Sequence, residues 1–539
     1  MARAGRELSK QVAVCLNKLY KLQNSKWLEL IQRSGEYAVI PYLVPFLSSD
    51  DQMLEMTAEN TISDLLRRCP PNELVWLSEQ MREHLPYAYR ENNRRWTQLT
   101  TATMASWGQS VHPVKWIMAS FHRDGYVREA AVKRMVLNRD GSEIPFLLIR
   151  TNDWVSSIRF RAYKALQQRI HEHNADIFIQ NIALVQRLVD CGREHRERYD
   201  ALIEAIYELL RRPECATALQ AGMQAEEPYI RRFCFQLGLP CDHLDTEQLL
   251  QWALQDSDSS IRIWAARQVS QQLQGDSLLS ALEYMRHDSF PPVRREALEQ
   301  LSDGFPEQAV PYVQSALLDR NAVVREVARR CISRVQPLNL VEFYLDMIWN
   351  EEAYPFQLAA ALYGLGETGQ AEDAEVIAEE RNHPEVAVRK AVIRGLARLD
   401  IRSYGHVLRA ALFDPQPGIS REAVPAIQRH IYLLNREEWL HGLLEKHPRH
   451  VHRNLFRLLP AYERWEQLDM LLDILNQETL SWIRQAAGHQ LNRWIHQSNR
   501  GFHMRPSGET ADHLLDKLKA CERRMDSNKA HMLRWMIMS

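Results

Sequence analysis

An arginine that follows an apolar residue recurs along this chain at near-constant spacing. The pairs are Val127-Arg128, Ile158-Arg159, Ile230-Arg231, Ile261-Arg262, Val293-Arg294, Val324-Arg325, Val388-Arg389 and Ile483-Arg484. Successive arginines stand 31, 72, 31, 32, 31, 64 and 95 residues apart. The long gaps are near multiples of the short ones, and weaker copies fall in register inside them at Phe356-Gln357, Ile419-Ser420 and Val451-His452. A period in this range marks small supersecondary units stacked in one dimension, each burying its apolar face against its neighbours. Such a chain escapes the limit that splits an ordinary protein of 539 residues into several cores.

Residues 308–335 spell out one unit. Val310, Val313, Ala316 and Leu317 recur at helical spacing, and Pro311 is expected in the first turn, where its missing N–H costs nothing. Asp319-Arg-Asn-Ala is a turn rich in capping residues. A second helix follows, with Val324, Val327, Ala328, Cys331 and Ile332 on one face. Two short amphipathic helices joined this way form a hairpin that is unstable alone and needs stacked copies.

This unit resembles the HEAT repeat, in particular the short bacterial variety of the phycobilisome-lyase type. The resemblance rests on a proline early in the first helix (Ile40-Pro41, Ile144-Pro145, Val310-Pro311), an acid at the turn, and the Val-Arg-x-x-Ala opening of the second helix. The turn acids are Asp50, Asp124, Asp153, Asp256, Asp288, Asp319 and Asp414. It covers roughly residues 35–497 and implies an all-α, right-handed α-solenoid of about 13–14 HEAT-like hairpins. It also implies a structural ladder in which Arg128, Arg159, Arg231, Arg262, Arg294, Arg325, Arg389 and Arg484 reach carboxylates and carbonyls of neighbouring units.

The array is expected to be uneven. Residues 1–34 read as a helical N-terminal cap, and residues 50–126 are degenerate, with Met56-Thr57 an early copy. The 72-residue gap holds one unit with longer helices or loops, Arg193, His195 and Arg196 near its midpoint. Residues 498–539 read as a loop followed by two helices, Thr510 to Arg524 and Asn528 to Met538, forming a cap or a tail.

Chemistry is sparse. There is no Gly-rich phosphate loop, no His-Glu-x-x-His and no Gly-x-Ser-x-Gly. The tightest histidine group, His447, His450 and His452, sits around a turn, and no metal or cofactor is expected. The HEAT-like deoxyhypusine hydroxylases carry several His-Glu pairs; this chain has the single dipeptide His171-Glu172. None of the eight cysteines falls in a Cys-x-x-Cys pair, so they read as reduced core residues of a cytoplasmic protein. The N-terminus leads into no apolar stretch of signal-peptide type, and the most apolar segment, Tyr37 to Leu47, is short and broken by Pro41 and Pro45, so no membrane span is expected.

One signal goes beyond the fold. Twelve-residue windows opened at the ten second-helix anchors together carry a net +21, whereas the whole chain carries -2, which leaves -23 elsewhere. Six residues after the anchor stand Lys133, Lys164, Arg267, Arg330, Arg394 and Arg457, interrupted by Gln236, Glu299, Pro425 and His489. At 100° per residue this position lies well away from the buried face. Second helices line the inner surface of HEAT-like arrays, so a basic stripe on the concave face is expected. Cations also gather toward helix C-termini for dipole reasons alone. The expected role is a non-enzymatic cytoplasmic scaffold or adaptor whose protein partner offers an acidic surface or peptide. The alternative is a nucleic-acid-binding or processing protein resembling the HEAT-like DNA glycosylases, which would need a cationic face with aromatic residues beside it.

Overall fold

The computed structural model describes residues 7–81, 94–107, 112–190, 196–477, 480–498 and 505–538. Arg193, His195, Cys191 and most of the loop after Ser498 lie outside them. Every regular element among the described residues is a helix, and the chain divides into two compact units, Met1–Gln268 and Val269–Ser539. Each unit is built from HEAT-like helix–turn–helix pairs in chain order. Between residues 35 and 497 the described residues form thirteen such pairs, with a further pair at either end, Lys10–Leu22 with Lys26–Ser34 and Gly508–Cys521 with Ser527–Met538.

The second unit has the simpler order. Its second helices include Pro291–Gly304, Ala322–Val335, Pro355–Thr368, Val386–Leu399, Pro417–Arg429 and Arg449–Leu458. Several open on proline, whose missing N–H lies among the donors a helix start leaves free. The third residue of each of these helices except Pro355–Thr368 is an apolar anchor, and Val293, Val324, Val388, Ile419 and Val451 are buried. The helices Pro355–Thr368 and Val386–Leu399 pack closely, because Gly366 meets Gly395: a Cβ on Gly366 would lie 2.7 Å from the Gly395 Cα. Ala322–Val335 and Pro355–Thr368 approach less closely.

Three local expectations are corrected. The helix holding Pro311 begins at Pro306, so Pro311 lies inside it and removes one ladder hydrogen bond. The copy at Phe356-Gln357 is out of register by one: the helix starts at Pro355, its third residue is Gln357, and Phe356 is exposed. Gln357 instead accepts the Tyr354 N–H at 3.0 Å, capping the start of its own helix. At Met56-Thr57 both side chains face outward; the helix Gln52–Arg68 starts earlier, its buried anchor is Leu54, and Glu55 takes the place of the arginine. The sign of that position is therefore reversed, and the buried Lys115 ammonium pairs with Glu55 and, at 3.6 Å, with Glu59.

The first unit also breaks strict nearest-neighbour stacking. The helix Pro71–Gln80 packs on Ile182–Gln186, and Ser78 accepts a hydrogen bond from Arg150 Nη2 at 2.6 Å across 72 residues of chain. In the second unit the last pair docks through charge as well as apolar contact. Leu514, Leu518 and Cys521 are buried, and Lys517 reaches Asp469 at 2.7 Å and Asp473 at 2.5 Å.

Candidate functional site

The recurrent arginines act first on their own turn. Arg128 donates through Nη1 to the carbonyls of His122 and Arg123, and Arg231 does the same to Ala225 and Glu226. Arg159, Arg294 and Arg389 repeat the pattern five and six residues back, at 2.7–3.3 Å. These carbonyls end the first helix or form the turn, where the backbone has acceptors to spare. One guanidinium thus clamps the turn that precedes its own helix.

The other edge of the fork reaches forward where an acid is there to meet it. Arg128 grips Asp153 at 2.8 Å through both Nε and Nη2, Arg231 grips Asp256 at 2.7 and 2.8 Å, and Arg294 grips Asp319 at 2.8 and 2.7 Å. Each acid lies 25 residues after its arginine and also accepts the backbone N–H two residues on, so it shapes the next turn as well. Burial alone would push the Asp153 and Asp256 carboxyls up; the guanidinium and backbone hydrogen bonds outweigh it and hold both below the ordinary value. Arg150 adds a second guanidinium to Asp153 at 2.9 Å.

Elsewhere the rung changes. The position 25 residues after Arg325 is Asn350, and Arg325 turns to Glu367, Nε to Oε2 at 3.2 Å. Glu367 also takes Arg329 at 2.8 Å and Arg398 at 3.5 Å. Asp414 stands 25 residues after Arg389, yet no ion pair forms between them among the described residues. At the two weak copies the rung is uncharged: Ser420 donates to the Leu412 carbonyl, Asn454 donates to Ser420, and His452 Nε2 lies 3.1 Å from the Glu445 carbonyl. Arg484 keeps one long contact to the Gln477 carbonyl.

The six stripe residues are all exposed, Lys133, Lys164 and Arg267 in the first unit, Arg330, Arg394 and Arg457 in the second. Half of them are met by a carboxylate. Lys133 pairs with Glu129 at 3.2 Å, Arg330 with Glu299 at 3.3 Å, and Arg394 donates through Nε to Glu422 at 2.8 Å while lying over Tyr363. Arg457 donates to Asn454, and Lys164 lies 5.9 Å from the Phe160 ring centre. Glu299 and Glu422 sit on the adjacent second helices, so these two pairs form between units of the repeat.

Among the described residues, no group of three or more His, Cys, Asp or Glu is placed to hold a metal ion, and no helix is long and apolar enough to cross a membrane. His447, His450 and His452 are each spent on local hydrogen bonds, to Glu445, the Asp414 carbonyl and the Glu445 carbonyl. Burial pushes the His452 imidazole below its usual value.

No family model matches the chain, and no curated protein matches it. Solved structures do. Yeast importin-β (Kap95p) is 13% identical, with 92% of this chain and 69% of that one covered and a TM-score of 0.30. Kap95p in a structure with RanGDP is 12% identical, covering 98% and 70%, with a TM-score of 0.31. The S. pombe condensin Cnd3–Cnd2 subcomplex is 12% identical, covering 99% of each chain, with a TM-score of 0.28.

Proposed function

We propose that this chain is a non-enzymatic scaffold or adaptor that works in the cytoplasm and holds a protein partner along the exposed faces of its second helices. The observation that carries this reading is local charge compensation. Lys133, Arg330 and Arg394 are exposed, yet each already has a carboxylate beside it. A polyanion binds by neutralising phosphates with a continuous row of free cations and releasing their counterions. Alternating, partly paired charges suit a protein surface, which can exchange one carboxylate for another and be selected by pattern. The seven described cysteines are buried free thiols, in keeping with a reducing compartment.

A nucleic-acid reading finds support at one place in the first unit. Trp154 is 85% exposed, Phe160 is 54% exposed, and Lys164 lies over Phe160. Exposed rings beside a cation are what single-strand binders use. The test is recovery of the tagged full chain from native lysate with and without nuclease, followed by the triple variant Lys164→Glu, Arg330→Glu, Arg394→Glu. A defined protein partner that survives nuclease and is lost with the variant, at unchanged helicity and melting temperature, is the expected result. Partners that vanish with nuclease would replace this reading with the nucleic-acid one.

A further inference from the structure

Two arginines in the second unit that belong to neither the ladder nor the stripe stand together in a groove of about 840 Å³ that runs along two successive helix–helix turns to the start of Pro355–Thr368. Arg286 follows the helix Gly275–Met285, and Arg320 sits in the turn before Ala322–Val335. Each guanidinium lies against a ring. Arg286 Cζ is 4.4 Å from the centre of Tyr312, and Arg320 Cζ is 5.7 Å from the centre of Phe356. Tyr312 is held by donating its hydroxyl hydrogen to Glu283 at 2.8 Å, and Phe356 is stacked on Tyr354 at 5.9 Å with an interplanar angle of 13°. The rings are therefore fixed platforms.

Neither guanidinium forms an ion pair among the described residues, and Arg286 Nε is buried without a hydrogen-bond partner. The carboxylates that line the groove are both engaged, one by a guanidinium and one by a backbone N–H. Asp319 is gripped by Arg294, and Asp288 accepts the Phe290 N–H at 2.6 Å. The lining sets Arg286, Arg294 and Arg320 against Asp288 and Asp319, a net positive balance, and the forks of Arg286 and Arg320, each near a ring, have donors left over. A guanidinium placed beside a ring keeps N–H groups for a bidentate carboxylate. The larger cleft of the first unit, about 1510 Å³, differs on this point, because its arginines Arg67 and Arg68 both pair with Asp64.

We propose that this groove binds an extended acidic segment of a partner protein, with one Asp or Glu carboxylate on Arg286 and another on Arg320. The net positive lining suits an anion, and a span of two turns and a helix start suits something longer than a small ion. A nucleic acid fits less well, because a base needs an open ring face: Phe356 lies against both Tyr354 and Arg320, and Tyr312 is half-buried. The inference rests on the scaffold reading for the partner being a protein, and it moves one contact from the second-helix faces to the turn edge.

The experiment is fluorescence anisotropy of a labelled Glu/Asp-rich peptide titrated with the full chain at low salt. Comparison probes are the Gln/Asn peptide of equal length, a single-stranded oligonucleotide and inorganic phosphate. The acidic peptide is expected to bind and the neutral one not. Arg286→Gln with Arg320→Gln should weaken binding by about tenfold or more, with unchanged circular dichroism and melting. The double Lys variant, which keeps charge and loses the fork, should fall in between. Arg402→Gln with Lys519→Gln, two exposed cations outside the ladder, the stripe and the groove, should leave the affinity within about twofold. Equal binding of the neutral peptide, or full binding by the Gln double variant, overturns the proposal, as does tighter binding of the oligonucleotide or of phosphate at the same two arginines. If a protein partner still binds the Gln double variant and loses its hold with the Lys164, Arg330 and Arg394 reversals, the scaffold reading stands and this groove falls. Acidic-peptide binding through Arg286 and Arg320 with no protein partner recovered would support the groove and count against the scaffold reading.

Discussion

The rung at Arg128 and the rung at Arg325 begin alike and end differently. Both arginines are buried and both bond the carbonyls of their own turn. Arg128 then takes a turn aspartate 25 residues on, whereas Arg325 takes Glu367, 42 residues on, from late in a helix. The first rung belongs to two successive turns and follows from the period. The second occurs where the turn carries Asn350 and the helix backbones approach less closely, so a longer acid from further along closes it. The repeat thus specifies the arginine more tightly than its partner: a buried guanidinium needs an anion, and any carboxylate the packing brings within reach will serve.

The largest break in this comparison should come from Asp153→Asn. It leaves Arg128 and Arg150, both buried, without their anion, and breaking a buried pair costs about 3–5 kcal/mol. Urea unfolding should show this in the transition of the first unit. Glu367→Gln should rank next, at about 3 kcal/mol, because Arg325 is buried while Arg398 retains water. Asp319→Asn should cost less, about 2 kcal/mol, since the Arg294–Asp319 pair keeps partial exposure. If Asp319→Asn proved as damaging as Glu367→Gln, the substitute rung would be no more demanding than the regular one.

Acid should sharpen the same contrast. Asp153 and Asp256 titrate below their unfolded value of about 3.9, so the folded state binds their protons less readily than the unfolded chain. Their stabilisation is complete above that value and drains as pH falls through the folded values. Glu143, which burial pushes up despite its Arg169 partner, contributes with the opposite sign. Asp256→Asn should therefore differ from the parent in urea midpoint at pH 7 and converge on it toward pH 3. The smallest effect should be Lys133→Gln, within about 0.5 kcal/mol, because the Lys133–Glu129 pair is half exposed on a helix surface.

These differences mark what a sequence carries and what it does not. The anchors from Val127 to Ile483 are legible because the buried face of a helix repeats with its own period, and Ser420 and His452 are legible as weaker copies for the same reason. The helix Pro71–Gln80 is not, since nothing local in it announces that Ser78 will meet Arg150. Glu367 leaves only a negative trace, the missing acid at Asn350. Lys133, Arg330 and Arg394 are legible as exposed cations but not as paired ones, because Glu129, Glu299 and Glu422 become neighbours through packing and helix facing. Arg286 and Arg320 sit in turns, off the second helices whose period makes charge legible.

The contact of Gly366 with Gly395 has a mechanical meaning. Most neighbouring helices in such a stack are separated by interlocked side chains, a layer that can shear by small rotamer changes. At this pair the backbones themselves touch, and there is no layer to shear. The segment from Pro355 to Leu399 is then a stiff link of the second unit. Under a pull along that unit it passes strain on without absorbing it, so extension gathers at softer joints such as the one between Ala322–Val335 and Pro355–Thr368, where charged side chains span a wider gap.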